Sequence, residues 1–376
     1  MLPLIIYRVR ANATGSISDM KVGWNTLSMA VAAAQLTDRL YNQVSLTFIP
    51  DPNPNYPIEV LPDRGTYNHR IPSDPEQNLA AHLTKDMLDR HDSGWENRYR
   101  VQVETVNNIP SHGLNASGAT VSATARAIYT FLSMQYQKHL SPTEQTYWAI
   151  HGEEPTTGSP VPPNTVSASM YGGMTISEFP YPYRLDSLRV HKKFVPSSWM
   201  AIFAKPPELE ATSSTAELRQ IARNRRITGE YASEQTSRSL RFIEAVDMIH
   251  PNIGAAVDAL RDYDSPFEKF MADGRVGGNR RIFGFGEGIT YAGIRENDRA
   301  MAAHNIATVQ SYLWRVAICD PVTHPESVAS AKEGLTYHFS KAGYPQVDFI
   351  EAKLTNVGAL DSDVEITVPD RETERV

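Results

Sequence analysis

Cysteine is nearly missing from this 376-residue chain: Cys319 stands alone. No disulfide framework, thiolate zinc site or redox pair can form within one chain, so a reducing, cytoplasmic setting is expected. Long hydrophobic runs are missing as well. The opening LPLII gives way to Tyr7-Arg8-Val9-Arg10, too short for a secretory core or a bilayer span. A soluble chain with no membrane partner is expected, and the Asn-x-Ser/Thr triplets at Asn12 and Asn115 then count as chance. Positive charge is not in excess, since 36 Lys and Arg against 43 Asp and Glu leave a net −7. That argues against a nucleic-acid partner held by phosphate contacts, while a local basic pocket for a small anion stays open. No His, Cys, Asp or Glu group has metal-ligand spacing, no Ser-His-Asp order stands out, and no internal repeat is visible.

What remains is ordinary globular material, 41% hydrophobic and 21% charged, long enough for two domains at ~150 residues each. LIIYRVRANATG reads as an opening strand, WNTLSMAVAAAQLTDRL as a helix or strand–helix mixture, and NQVSLTFIP as a second strand. A long Pro-rich loop, with room for one edge strand, covers residues 51–77. NLAAHLTKDMLDRH has helical spacing. RYRVQVETVNNIP alternates, with Val101, Val103 and Thr105 on one face. SPTEQTYWAIHG opens as a capped helix, with serine, then proline, then a glutamate one turn in. SASMYGGMTIS, SLRVHKKFVP and WMAIFAKP read as strands, RIFGFGEGITYAGI as a glycine-interrupted strand pair, and NIATVQSYLWRVA and ESVASAKEGLTYHFSKAG as helices. QVDFIEAKLTNVGAL closes with strand character, and the tail from Asp361 reads as loose. Strands and helices are interspersed throughout, so the fold class is α+β, in two parts joined near residues 180–200.

One stretch carries chemistry. NNIPSHGLNASGATVSATARAI, residues 107–128, places a small-residue turn between an alternating strand and a helix whose stripe is Val121, Ala125, Ile128 and Leu132. Such a turn offers unpaired backbone N–H groups and the positive end of a helix dipole, a site for an anion and above all for a polyphosphate. Gly113, Gly118, Ala116, Ser117 and Ala119 let a phosphate approach the backbone, and Ser117 and Thr120 add hydroxyls. The same pattern also serves as a plain strand-to-helix connection.

The order of segments resembles that of the GHMP superfamily, named for galactokinase, homoserine kinase, mevalonate kinase and phosphomevalonate kinase, and is most similar to homoserine kinase. Pro110-Ser-His112-Gly113-Leu114-Asn115-Ala116-Ser117-Gly118-Ala119 resembles the family's Pro…Gly-Leu-Gly-Ser-Ser-Ala motif. Gly23-Trp24-Asn25 resembles Gly-Phe-Asp, and Asn164-Thr165 stands where the family has Asp-Asn. STAELR, with Arg219, resembles Ser-Thr-x-x-x-Arg, and Gly284-Phe285-Gly286-Glu287-Gly288-Ile289-Thr290 the third, Gly-x-Gly-Pro-Thr motif.

The resemblance implies a deep cleft between a nucleotide-binding domain, residues 1–190, and a ferredoxin-like domain, residues 191–360, before a charged tail, 361–376. It implies ATP-dependent phosphorylation of a hydroxyl on a small metabolite, with ATP and Mg2+ as cofactors, and it leaves a homodimer open. ATP would lie on residues 110 and 112–119, and magnesium on Ser117 with Glu153 or Glu154; those glutamates also read as a solvated loop. The acceptor would meet Asn25, Asn164, Thr165, Arg219, Gly284 and Gly286, with Asp19, Lys21 and Arg219 as catalytic residues; Asp19 and Lys21 also read as an exposed ion pair. Amides and hydroxyls where the family has acids argue against homoserine itself as substrate. Asn115 adds a Cβ where the family loop has glycine, which is expected to crowd a bound triphosphate. SASMYGG also resembles the Ser-Leu-Tyr-Gly-Gly of mevalonate diphosphate decarboxylases. A lyase with a weakened ATP site and a non-catalytic metabolite-binding relative are therefore the alternative readings.

Overall fold

The computed structural model describes residues 4–18, 28–35, 40–52, 54–66, 74–110, 113–157, 161, 163–179, 183–210, 241, 244–245, 251–261, 272, 288–311 and 313–368. Side chains are described at all of these except 13–18, 28–35, 157, 165, 260, 261 and 311.

Strand β1 (Ile5–Ser18) organises the sheet. Its first half pairs antiparallel with β3 (Tyr41–Pro50) and its second half with β2 (Ser28–Gln35). β3 continues into β5 (Tyr99–Asn107), whose far edge carries the short parallel strand β4 (Ile58–Val60). On the other side the path runs from β2 through β11 (Asp348–Leu354), β8 (Met200–Lys205) and β10 (Trp314–Cys319) to β9 (Ala307–Ser311). β6 (Met174–Glu178) also pairs with β2, β7 (Arg189–Lys193) with β6, and β12 (Glu365–Thr367) with β1.

The helices are α1 (Leu79–His91), α2 (Ala116–Tyr136), α3 (Pro142–Gly152), α4 (Glu154–Thr157), α5 (Pro163–Tyr171), α6 (Ile253–Arg261), α7 (Tyr291–Ala302) and α8 (Ser327–Lys341). α2 lies across β1 and β3, with α1, α3 and α5 around it. Phe131 seats it: the ring stacks on Phe48 at 3.7 Å between centroids and meets Tyr7 and Tyr99 edge-on. The front of α2 is buried all round, from Gly118 to Ala125. The Thr124 hydroxyl is accommodated there by donating to the Thr120 carbonyl one turn back, at 2.8 Å.

Several sequence expectations are corrected. The alanine-rich run 28–35 is strand, because it sits between β1 and β11 in mid-sheet, where the ladder overrides alanine's helical preference. NIATVQSYLWRVA is the β9–β10 hairpin rather than a helix; on β10 every residue from Trp314 to Cys319 is buried, which hides any alternation. In SASMYGGMTIS, the first part ends α5 and only the residues after Gly173 form strand. The segment after Asp361, expected to be loose, adds β12 to β1. Of RIFGFGEGITYAGI, expected as a strand pair, residues 281–287 lie outside the described residues and Tyr291 to Ile294 instead open α7, capped by the Thr290 side chain on Gly293 N–H.

The chain end is clasped to the α5–β6 turn. Gly172 and Gly173 both have positive φ, 69° and 65°, and Gly173 N–H donates to the Thr355 carbonyl at 2.7 Å. Ala359 and Leu360 N–H donate to the Ser169 and Met170 carbonyls at 2.8 and 2.9 Å. A Cβ on Gly172 would stand 2.5 Å from the Val357 carbonyl carbon, so backbone meets backbone here. Gly172→Ala is expected to cost about 2–4 kcal/mol of unfolding free energy, measured by urea titration, because neither the φ nor the approach admits a side chain.

A second core joins β8 and β10 to α7 and α8 through Ile202, Ala317, Ile294, Met301, Leu335 and Phe339. Within it the buried Arg315 guanidinium pairs with Asp298, which also accepts from Thr308 Oγ1 at 2.5 Å and Arg295 at 3.2 Å. His338, 6% exposed, has its pKa lowered to about 3 by burial and then by the charge of Arg315, against an opposing hydrogen bond to the Gly293 backbone. Above pH 6.5 the imidazole is neutral in both states and contributes nothing to the pH dependence. Between pH 6.5 and 3 only the unfolded chain takes up the proton, so stability falls by about 1.4 kcal/mol per pH unit. In His338→Gln, the loss of unfolding free energy between pH 7 and pH 5 should be smaller than in wild type by about 2 kcal/mol.

Candidate active site

β5 ends at Asn107, and after the turn through Gly113 and Asn115 the chain enters α2 at Ala116. Gly113 has φ 131° and Asn115 adopts the left-handed region, φ 59° and ψ 45°. Asparagine enters that region more readily than other side-chain-bearing residues, so the bend a glycine would make is kept. The expected crowding at Asn115 is therefore not a backbone effect. Its amide instead folds over the first helical turn, where a Cβ on Gly118 would strike it, and donates to Ser169 Oγ at 3.4 Å.

No side chain caps the start of α2, and its first turn holds no acidic residue. Asn115, Ala116 and Ser117 are half-buried rather than sealed. The first-turn donors and the positive end of a long helix dipole thus keep their capacity for an anion. Ser117 Oγ donates to Glu153 Oε1 at 2.6 Å, and Glu153 is 4% exposed. α3 carries Glu153 to this place. Its start is fixed by a capping box between Ser141 and Glu144 with Pro142 at the first helical position. Its end packs so closely on α1 that a Cβ at Gly152 would stand 2.9 Å from Leu83 Cδ2. The two candidate glutamates separate here: Glu153 meets Ser117, whereas Glu154 Oε1 faces His151 Nδ1 at 3.0 Å.

Pro110 and Leu114 are buried beside the turn, and Ala119 is buried in α2. Asn164 is fully buried at the start of α5, where its carbonyl accepts from Thr175 Oγ1 at 3.4 Å. Thr165 lies in the same helix, with its side chain outside the description. Asp19, Lys21, Asn25, His112, Arg219, Gly284 and Gly286 lie outside the described residues. A cavity of about 200 Å3 between α7 and α8, lined by Gly288, Ile289, Thr290, Asn297 and His338 among others, takes in the end of the third-motif stretch but none of the candidate catalytic, acceptor, nucleotide or metal residues. Among the described residues no three His, Cys, Asp or Glu side chains gather to hold a metal, and no helix is long and apolar enough to cross a membrane.

Thr120, expected to add a hydroxyl for the anion, is instead buried and braces the turn, together with polar residues that carried no sequence signal. Thr120 Oγ1 donates to Asn107 Oδ1 at 3.1 Å, and the Asn107 amide donates to Asp63. Asp63 also accepts from Thr105 Oγ1 at 2.6 Å and from Gly65 N–H at 2.6 Å, tying the chain after β4 to the end of β5. Asn42 of β3 completes this network from the other side. In sequence these are scattered Asn, Asp and Thr near strand ends, where such residues are common for turn reasons alone.

Comparison with solved structures settles the architecture. A homoserine kinase from Cytophaga hutchinsonii superposes with TM-score 0.63 at 16% identity, covering 95% of this chain and 97% of that one. A mevalonate diphosphate decarboxylase from Staphylococcus aureus superposes with TM-score 0.65 at 12% identity, covering 97% and 98%. The chain has the fold of the GHMP superfamily. Among curated proteins, homoserine kinase of Saccharolobus islandicus is 34% identical over 167 residues, 44% of this chain and 46% of that protein. The chain thus spans about half the length of the curated relatives of this kind that it matches. No family model matches the chain. These GHMP relatives include kinases and a decarboxylase, so the shared fold fixes the scaffold and leaves the reaction to the site.

The left-handed residue at the head of α2 is testable on its own. Asn115→Gly should leave unfolding free energy within about 0.5 kcal/mol of wild type, whereas Asn115→Ala should cost about 1–2 kcal/mol in the same urea titration.

Proposed function

We propose that this chain is an ATP-dependent kinase that phosphorylates a hydroxyl of a small metabolite in the cytoplasm, with Mg2+ as its second cofactor. The observation that carries the reading is the hydrogen bond from Ser117 to the buried carboxylate of Glu153, at the uncapped start of α2. An uncapped helix start suits a polyanion, and the Glu153 carboxylate beside it calls for a cation between the two. One hydroxyl and one carboxylate suit a hard divalent cation that keeps waters and phosphate oxygens as its other ligands. The donor set therefore fits Mg·ATP, which when bound supplies the phosphoryl group and part of the charge neutralisation its transfer needs.

The chain's own residues divide the remaining work. Backbone N–H groups from Asn115 to Gly118 would hold phosphate oxygens, and Glu153 keeps the Ser117 oxygen oriented within the site. His112 and Gly113 would extend the cradle on its entry side. Asp19 and Lys21 are proposed to position the acceptor hydroxyl and take its proton. Arg219 would hold the acceptor's anionic end, with Asn25, Asn164, Thr165, Gly284 and Gly286 around it. In this scheme residues 1–190 carry the nucleotide, and the acceptor sits against both that part and residues 191–360. Asn25 and Asn164 in place of acids direct the choice away from an acceptor with an ammonium group, and so away from homoserine.

The test is nucleotide-dependent turnover across hydroxy acids, amino alcohols and sugars. ATP consumption is expected with at least one class, with Ser117→Ala and Glu153→Gln each lowering kcat/KM about 100-fold and Glu153→Gln raising the Mg2+ concentration required. Absence of ATP consumption with every class would defeat the reading. The alternative is a lyase of the decarboxylase kind, suggested by the Ser167–Gly173 run; release of carbon dioxide from a phosphorylated hydroxy acid would favour it.

A further inference from the structure

Asn42 lies in β3 and is 1% exposed, and its amide is engaged at both ends. Nδ2 donates to the Ala116 carbonyl at 2.8 Å and to Thr120 Oγ1 at 3.0 Å. Oδ1 accepts from the backbone N–H of Asn108 at 3.0 Å and of Ile109 at 3.2 Å. Acceptors face one end and donors the other, so the amide fits one way round. A single side chain from a core strand thus grips the entry of the β5–α2 turn and its exit together.

The grip has a directional consequence. The Ala116 carbonyl and the Ser117 N–H belong to one planar trans peptide unit and point in opposite directions. Pinning the carbonyl to Asn42 on the sheet side therefore aims the Ser117 N–H away from the sheet. Thr120, held by Asn42 on one side and Asn107 on the other, stops α2 from rotating about its axis and carrying the first-turn donors with it.

We propose that Asn42 is a positioning residue for the phosphates of the nucleotide: it does not touch the ligand but sets the direction of the N–H groups that do. The inference rests on the phosphate-site reading of the α2 start. Orientation of donors matters more than their number, since an anion gains from several N–H groups only when they converge on it. A buried asparagine in a strand is also an unusual choice when apolar packing alone would seat the helix.

The experiment compares Mg·AMPPNP binding by calorimetry with adenosine binding by NMR, in wild type, Asn42→Ala, Asn42→Asp and a core control, Leu335→Ala. Asn42→Ala should weaken Mg·AMPPNP about tenfold and leave adenosine affinity unchanged. Asn42→Asp keeps the acceptor for Asn108 and Ile109 but loses both donors to the helix, so it should behave like Asn42→Ala. Thr120→Val gives the same contrast at smaller size if the alanine variant does not fold. Equal losses for both ligands, a matching loss in Leu335→Ala, or wild-type affinity in Asn42→Ala would each overturn the assignment. No Mg·AMPPNP binding by wild type would instead remove the phosphate-site reading and this inference with it, a pattern distinct from tight binding that ignores Asn42.

Discussion

A helix buried on nearly every side while its half-buried first turn carries no side-chain cap is the constraint on which this structure depends. Burial of α2 comes from ordinary packing, with Phe131 stacked on Phe48 and three helices around it. An uncapped start is harder to arrange, because a buried helix end usually recruits a cap to satisfy its N–H groups. Here Asn115 spends its conformational tolerance on the left-handed bend instead of on a capping bond. Stability at the helix head is supplied from the side, through Asn42, Thr120, Asn107 and Asp63.

The same logic of backbone meeting backbone closes the molecule elsewhere. The Gly172–Gly173 turn admits the Thr355–Leu360 segment so closely that main-chain hydrogen bonds replace side-chain contacts. Asn356 then bridges Val195 N–H and carbonyl at 2.8 and 2.9 Å, binding the chain end to the segment before β8. The second core is stabilised differently, by a buried Arg315–Asp298 pair with added donors, an arrangement tolerable only because each charge has partners. A neutral His338 beside it avoids setting a second positive charge in the same core.

The chain keeps the GHMP fold at 16% and 12% identity to the two solved structures named above. Replacing a loop glycine by Asn115 preserves the backbone path, since asparagine accepts the same dihedral angles. It adds an amide that reaches Ser169 in α5, a link that a glycine at this position would lack.

The sequence by itself determined the elements whose signals are local. Alternation in β5, the stripe of α2 and the capping box of α3 depend on neighbours within a turn or a strand, so they read directly from residue order. The glycine-bearing turn after β5 was legible for the same reason. Tertiary structure decided the rest: that an alanine-rich run is a strand, because it lies mid-sheet, and that the buried β10 is not a helix, because burial on both faces erases periodicity. It also decided which of two adjacent glutamates meets Ser117, since rotation at the end of α3 depends on how Gly152 lets that helix rest on α1. Asn42 belongs wholly to this second group: its four hydrogen bonds reach residues far along the chain, and no local pattern in a strand marks a side chain whose partners exist only after the sheet and the helix have met.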